Sequence, residues 1–137
     1  MMPPAVHTRQ PAGGGDADAS AIAIQLVRLI QCYRLDLSTE KRLQADLADA
    51  LERANITFER EKHLSDRDIP DFLVAGGVVI ECKMHCARKI AIYRQLCRYA
   101  EHPAVRAIIM ASNVSMGLPS SINGKPVFVA SLSRGWL

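Results

Sequence analysis

Apolar residues recur at helical spacing in three stretches of the chain. Residues 19–33, 38–55 and 88–101 each carry an apolar residue every three or four positions, which places those residues along one face of an α-helix. Ser38 stands at the start of the second stretch, where its hydroxyl could accept a hydrogen bond from a free backbone N–H and cap the helix. The pattern therefore predicts three amphipathic helices, the last ending before Pro103.

Shorter apolar or alternating stretches predict five strands. They cover residues 56–64, 69–74, 78–84, 104–111 and 127–132, with the lengths and compositions typical of strands. Only Ala75-Gly76-Gly77 separates the second strand from the third, and a short connection with glycine indicates a hairpin. The predicted order is helix, helix, three strands, helix and two strands, which makes the chain an α/β protein.

Length and composition indicate one domain. The 137 residues are 49% hydrophobic and 23% charged, which is typical of a single soluble domain. We expect residues 1–18, which are rich in glycine and lack a secretory signal, to form a disordered leader, and residues 19–137 to form the domain. No apolar run approaches the ~20 residues that a membrane span needs, so we expect a cytoplasmic protein without a membrane partner.

The positive charge is concentrated in one segment. The formal net charge is only +3, but residues 82–100 contain basic residues and no acidic one. The basic residues are Lys83, Arg88, Lys89, Arg94 and Arg98. A local basic surface attracts polyanions even when the whole-chain charge is small. We therefore expect the four that lie on the third helix to bind a nucleic acid, although Arg94 and Arg98 could equally form a solvated helix face.

The third predicted strand ends in charged residues. Glu81 and Lys83 are two positions apart, so their side chains point to the same face of the strand, whereas Cys82 points to the other. They directly follow the apolar residues Val78, Val79 and Ile80, which suggests that the strand is covered by other elements. Charged side chains are rarely buried unless they are paired or bind a ligand, so these two indicate a site. A surface ion pair between Glu81 and Lys83 is the structural alternative.

The register of the hairpin decides whether Asp71 joins these residues. If Val74 pairs with Val78, a three-residue loop connects the strands and Asp71 lies opposite Glu81. A two-residue loop would instead place Asp71 opposite Ile80 and separate the two carboxylates. The loop contains two glycines, which adopt left-handed backbone conformations easily, so we predict the three-residue loop.

Two carboxylates in this register would form a metal site. They repel each other unless a cation lies between them, and oxygen ligands favour Mg²⁺, or Mn²⁺ as a substitute. Asp71, Glu81 and the backbone carbonyl of Cys82 are the predicted ligands. Lys83 could orient or deprotonate an attacking water and offset charge on a phosphorane.

The helices supply further candidates. Glu40 lies near the inward stripe of the second helix and could ligate a metal, although a glutamate in a first turn can equally serve the helix dipole. Gln95 and Tyr99 are four positions apart on one face of the third helix, where they could support the site or pack as a polar pair. Cysteines and His85 suggest zinc, but no Cys-x-x-Cys pair exists, so we expect core thiols.

Three motifs together resemble the PD-(D/E)XK nuclease superfamily. They are Pro70-Asp71, Glu81-Cys82-Lys83 and the Gln95-x-x-x-Tyr99 motif, which is typical of the RecB-like branch. The resemblance covers residues 39–113. It implies a restriction-endonuclease-like αβββαβ core with a mixed sheet flanked by helices, to which residues 19–35 add an accessory helix and the C-terminal segment adds a strand.

The resemblance also implies an activity. It implies metal ligation by Asp71 and Glu81, water activation by Lys83, an acidic supporting role for Glu40, and positions near the site for Gln95 and Tyr99. The expected function is Mg²⁺-dependent hydrolysis of phosphodiester bonds in DNA, in bacterial or phage DNA processing, repair or recombination, by a homodimer or within a larger complex. The alternatives are a non-catalytic nucleic-acid-binding module on the same fold and an interaction protein assembled by its first helix.

Overall fold

Three helices and six strands make up the described part of the chain. The structure is a computed structural model that describes residues 12–84 and 88–132, with side chains from residue 17 onward. The helices are α1 (Ala12–Cys32), α2 (Glu40–Arg53) and α3 (Lys89–Ala100). The strands are β1 (Phe58–Arg60), β2 (Phe72–Val74), β3 (Val78–Lys83), β4 (Ala107–Ser112), β5 (Ser121–Ile122) and β6 (Lys125–Ser131). The predicted α/β class is confirmed.

The strands form one mixed sheet in the order β1-β2-β3-β4-β6-β5. β1, β2 and β3 form an antiparallel meander, whereas β4 runs parallel to both of its neighbours, β3 and β6. Parallel strands cannot be joined by a tight turn, and α3 lies in the crossover from β3 to β4. Every residue of β4 is buried, as expected of a central strand that is covered on both faces.

Helices cover both faces of the sheet. Ile80 and Cys82 of β3 pack in a hydrophobic core with α1 and α2, and Val79 packs on the opposite face in a second core with α3. Because successive residues of a strand point to opposite faces, Glu81 and Lys83 share the face that α3 covers. None of the described helices is both long and apolar enough to cross a membrane.

α1 begins earlier and packs more deeply than the sequence pattern predicts. It starts at Ala12, inside the segment 1–18 that is expected to be a disordered leader, of which residues 1–11 lie outside the described residues. Glycines near its start are weak helix formers, so apolar periodicity becomes visible only later. Its buried side chains include Ala19, Ala23, Leu26 and Ile30, each at most 2% exposed. α1 is therefore packed into the hydrophobic core of the sheet.

Thr39 caps α2, in place of the predicted Ser38. The Oγ1 atom of Thr39 accepts a hydrogen bond from the backbone N–H of Arg42 at 3.1 Å. The backbone N–H and the hydroxyl of Ser38 instead both donate to Oδ1 of Asp36, at 2.8 and 2.6 Å. Serine and threonine are both good N-cap residues, so the competing acceptor decides which of the two neighbours caps the helix.

The strands differ from the sequence pattern at several ends: β2 begins at Phe72 rather than at residue 69, and β4 begins at Ala107 rather than at residue 104. β1 ends at Arg60 rather than at residue 64, because Glu61 has a φ of 51° and leaves the extended conformation. β5 is not predicted, although Asn123 and Gly124 have φ values of 53° and 76° and join β5 to β6 in a two-residue turn. Asn-Gly is the preferred sequence for such a turn, so this signal was present in the chain.

Candidate active site

β2 and β3 pair in the register that brings the two carboxylates together. Phe72 pairs with Ile80, residues 75–77 form the connecting loop, and Asp71 lies opposite Glu81 one step beyond the paired residues. The competing register, in which Asp71 would face Ile80, does not occur. The predicted register is confirmed, and it places Asp71, which directly precedes β2, opposite Glu81 of β3.

Two glycines allow the loop its shape. Gly76 and Gly77 have φ values of 101° and 88°, a region that L side chains rarely adopt. A β-carbon added at Gly77 would lie 2.9 Å from the carbonyl oxygen of Ala104, and the carbonyl oxygen of Gly77 accepts a hydrogen bond from the N–H of Arg106 at 2.7 Å. The loop thus packs closely against the segment before β4, which maintains the register.

Asp71 and Glu81 each bond to the backbone of the opposite segment. The backbone N–H of Asp71 donates to Oε1 of Glu81 at 3.1 Å, and the backbone N–H of Cys82 donates to Oδ2 of Asp71 at 2.8 Å. Hydrogen bonds to an ionised acceptor are stronger than neutral ones. The two side chains therefore link the segment before β2 to β3, and they lie close to each other.

Lys83 and Tyr99 complete the surroundings of Glu81. The hydroxyl of Tyr99 on α3 donates to Oε1 of Glu81 at 3.3 Å, and Nζ of Lys83 lies 3.6 Å from Oε2. Glu81 is only 3% exposed, whereas Lys83 is 25% exposed. The glutamate is therefore held inside the protein, while the lysine reaches from it toward the surface.

Burial makes both carboxylates harder to ionise. Burial first, and then the charge of Asp71, raise the pKa of Glu81 to about 7. Burial is also the main reason why the pKa of Asp71 is raised, with a smaller contribution from the charge of Glu40. The pKa of the Tyr99 phenol is raised by burial and by Glu81, so it remains a hydrogen-bond donor. The pair therefore forms a site where a cation would be stabilised.

The donor atoms fit a magnesium ion. Asp71 and Glu81 offer carboxylate oxygens, and the predicted carbonyl ligand, Cys82, follows Glu81 directly in β3. Within residues 12–84 and 88–132, no group of three or more histidine, cysteine, aspartate and glutamate side chains is arranged to hold a metal ion. Mg²⁺ is commonly bound by one or two carboxylates and keeps several waters, so two carboxylates are sufficient for this metal.

Glu40 lies beside the site but is not combined with the pair into a three-carboxylate group. Its Oε2 atom accepts a hydrogen bond from the backbone N–H of Met84 at 3.2 Å, just after β3. Its charge contributes to the raised pKa of Asp71. The structure thus places Glu40 where it acts on the site electrostatically and supports the end of the strand.

The thiol of Cys82 faces away from the carboxylates. It belongs to the core formed with α1 and α2, and burial raises its pKa well above the ordinary value. The prediction that this thiol points away from the site is confirmed. Cys97 lies on α3 and packs against the other core, whereas His85 and Cys86 are outside the described residues.

A basic groove adjoins the site. It has a volume of about 470 Å³, and the polar residues that line it are Lys83, Arg88, Arg94, Gln95 and Arg98. The structure therefore brings three of the four predicted DNA-binding residues, together with Gln95, to the same surface as Lys83. The fourth, Lys89, lines a different pocket on the other flank of α3.

Asp68 connects the loop before Asp71 to α3. It is 6% exposed, and its carboxylate lies 2.9 Å from Nε of Arg98 and 3.0 Å from Nε2 of His102. Hydrogen bonding by His102 and the charge of Arg98 lower the pKa of Asp68. Arg98, expected only to contact DNA, therefore also anchors this loop. Asp68 and His102 were not predicted from the sequence, because no local spacing relates residues so far apart.

Comparisons with other proteins identify no relative: no family model, curated protein or solved structure matches the chain.

Proposed function

We propose that this protein is a metal-dependent nuclease that hydrolyses phosphodiester bonds in DNA, on a restriction-endonuclease-like core of the PD-(D/E)XK type. The observation that carries the proposal is the convergence of Asp71, Glu81 and Lys83 at the end of β2 and β3. Both carboxylates have raised pKa values, and perturbed titratable groups of this kind concentrate at functional sites. An ion pair that served only the surface would not need a 3% exposed glutamate.

The order of elements supports the proposed core. α2, the meander β1–β3, α3 and the parallel strand β4 follow one another as αβββαβ, the order that the resemblance implies. α3 contributes Tyr99 to the site and Gln95 to the basic groove, and these two residues form the Gln-x-x-x-Tyr motif. The motif therefore has a structural explanation, since one helix face supports the glutamate and the groove together.

Each side chain has a role in the proposed reaction. Asp71, Glu81 and the Cys82 carbonyl would hold Mg²⁺ or Mn²⁺, which when bound polarises the phosphate and activates water. Lys83 can orient that water and offset the negative charge that develops on the oxygens of the transferred phosphoryl group. Tyr99 keeps Glu81 in position. The arginines of the basic groove bind the phosphates on either side of the scissile bond.

The basic groove also supports the alternative of a binding module without cleavage. One of its arginines, Arg98, is held by Asp68 and not by Asp71 or Glu81. Such a protein would bind DNA equally well in Mg²⁺ and in EDTA and would leave it intact. Cleavage assays therefore separate the two functions.

Plasmid, single-stranded and branched DNA, each incubated with Mg²⁺, Mn²⁺ or EDTA, test the proposal. We expect cleavage with either metal and none in EDTA. Lys83→Met should slow cleavage by about 100-fold or more, the usual effect of removing a group that assists proton transfer or stabilises charge. The matched control is Arg28→Met, which removes one positive charge from an exposed position of α1 on the other face of the sheet and should cleave normally.

Two further measurements complete this experiment. Circular dichroism of Lys83→Met should match the wild type, because Lys83 is partly exposed and its replacement leaves the core unchanged. Mg²⁺ should raise the thermal midpoint of the wild type, as any ligand that binds only the folded state does. Cleavage by Lys83→Met at the wild-type rate, or the absence of metal-dependent cleavage from every substrate, would refute the assignment.

A further inference from the structure

The flank of α3 that faces away from the basic groove carries an apolar pocket. The pocket has a volume of about 410 Å³ and lies between Lys89, Ile90 and Tyr93 of α3 and the loop of residues 116–119. The side chains of Ile90 and Tyr93 are 54% and 39% exposed, although both are large and apolar. Nothing in the site described above uses this pocket, which we call the Tyr93 pocket.

The Tyr93 pocket and the basic groove lie on opposite sides of one helix. Successive residues of an α-helix are about 100° apart, so Arg88, Gln95 and Arg98 share one side of α3 while Lys89 and Tyr93 share another. Arg94 lies on the solvent-facing side of α3, between these two sets of residues. A helix with its side chains is about 10–12 Å across, so one extended ligand can reach both surfaces.

The chemistry of the two surfaces matches a nucleic acid strand. Proteins that bind single strands combine a positively charged groove for the backbone with an aromatic side chain on which a base stacks. Tyr93 supplies an exposed ring, and Lys89 supplies a cation that lines the same pocket. A base of a duplex would have to leave its stack to enter the pocket.

We propose that the Tyr93 pocket binds an unpaired nucleobase of the DNA strand whose phosphates lie in the basic groove, and that the nuclease therefore acts on single-stranded or frayed DNA. The choice of substrate rests on the proposed function, whereas the base-binding pocket can be tested without cleavage. The pocket is concave, and lysine is depleted at the centres of protein interfaces, so the surface fits a base better than a second copy of the chain.

Binding of two single strands of equal length and charge, measured in EDTA so that no cleavage occurs, tests the pocket. One strand is an oligothymidine and the other is the same phosphodiester chain with abasic sites throughout. We expect the wild type to bind oligothymidine about fivefold more tightly or better, the effect of one base–aromatic stack. Tyr93→Ala should bind both strands equally, and Tyr93→Phe, which keeps the ring, should retain the preference.

An exposed isoleucine on another helix provides the matched control. Ile90→Ala removes an apolar side chain from the Tyr93 pocket and should weaken the preference for oligothymidine. Ile24→Ala removes the same side chain from α1, where it is 41% exposed, and should leave the preference unchanged. Both variants shorten an exposed isoleucine, so any general loss of stability should be similar in the two. A difference in base preference between them therefore reports on the Tyr93 pocket.

The possible outcomes distinguish this proposal from the proposed function. Equal binding of the two strands by the wild type, or no binding of either, would overturn the base pocket even if the protein cleaves DNA in Mg²⁺. A base preference that Tyr93→Ala abolishes would support the pocket even if no cleavage is found. A decrease in the sedimentation mass of the free protein on Tyr93→Ala would identify the surface as a contact between copies and would also overturn the proposal.

Discussion

Glu81 occupies an environment that is unusual for a glutamate. It is 3% exposed and accepts hydrogen bonds from the Asp71 N–H and the Tyr99 hydroxyl. Burying a carboxylate is unfavourable unless hydrogen bonds and opposite charges offset the lost hydration. The raised pKa of about 7 indicates that these partners offset it only in part. The ionised side chain therefore lowers the stability of the metal-free protein at and above neutral pH. A bound cation would offset this loss of stability.

Glutamine at position 81 should make the metal-free protein more stable at alkaline pH. The native pKa of about 7 exceeds the ordinary value of 4.5, so between these values the folded state holds a proton that the unfolded chain has released. Stability must then fall as the pH rises through this window, by roughly 3 kcal/mol for a shift of this size. Glu81→Gln cannot ionise and should lose most of the decline, whereas the smaller part that comes from the raised pKa of Asp71 should remain. Urea unfolding in EDTA at pH 5 and pH 8 measures the difference.

Glu101→Gln is the control for this measurement. Glu101 is exposed at the end of α3, so this variant should keep the pH dependence of the wild type. A wild-type protein that is equally stable at both pH values would show that Glu81 ionises normally, and the electrostatic argument for the cation site would then be lost.

Among the elements, α3 has the widest set of contacts with the site. Tyr99 bonds to Glu81, Arg98 pairs with Asp68, and Gln95 lines the basic groove. Its apolar periodicity predicted the buried face with Ile92 and Leu96, which the structure confirms. The roles of its polar residues depend on which strand or loop lies opposite each of them. The periodicity of the sequence carries no information about these contacts.

The β2–β3 hairpin is the element on which the site depends most directly. Gly77→Ala should destabilise the protein by about 1–3 kcal/mol, because a side chain is strained at its φ of 88° and the added β-carbon would lie 2.9 Å from the Ala104 oxygen. Gly117→Ala is the control, since a β-carbon there meets nothing within 4 Å, and its stability should lie within about 0.5 kcal/mol of the wild type. Urea unfolding compares the two, and equal stabilities would show that the loop tolerates another conformation.

At the scale of the whole molecule, α1 closes one face of the sheet. Its side chains enter the same core as those of α2, β3 and β4, and Gln31 accepts a hydrogen bond from the backbone N–H of Ser131 in β6 at 2.9 Å. The helix predicted as an accessory to the core of residues 39–113 therefore also contributes to the hydrophobic core. Removing residues 1–37, in order to test whether the first helix mediates assembly, would also uncover the sheet and would therefore not test assembly alone.

Leu26→Ala tests the contribution of α1 to the core. Leu26 is 2% exposed, and truncating a buried leucine to alanine costs about 2–5 kcal/mol through lost burial and the remaining cavity. Ile24→Ala on the exposed side of the same helix should cost much less. Thermal or urea unfolding measures both variants. A Leu26→Ala protein as stable as Ile24→Ala would show that α1 is dispensable for the fold.

The features that could be predicted from sequence are those that local geometry controls. Periodicity located all three helices, and alternation along β3 placed Glu81 and Lys83 on one face. The glycines of residues 75–77 predicted the register that brings Asp71 to Glu81. Each of these depends on residues that are close in sequence, where the spacing of side chains and the allowed backbone angles leave few alternatives.

Contacts between distant parts of the chain required the folded structure. The sequence did not indicate that Asp68 binds Arg98 and His102, that Glu40 supports the end of β3, or that α1 is buried in the core. Such contacts join residues whose separation in sequence has no relation to their separation in space, so they produce no periodic pattern. Local sequence patterns thus identified the two carboxylates and the lysine. Packing across the sheet determined how deeply they are buried, the pKa values of the carboxylates and the surfaces around them.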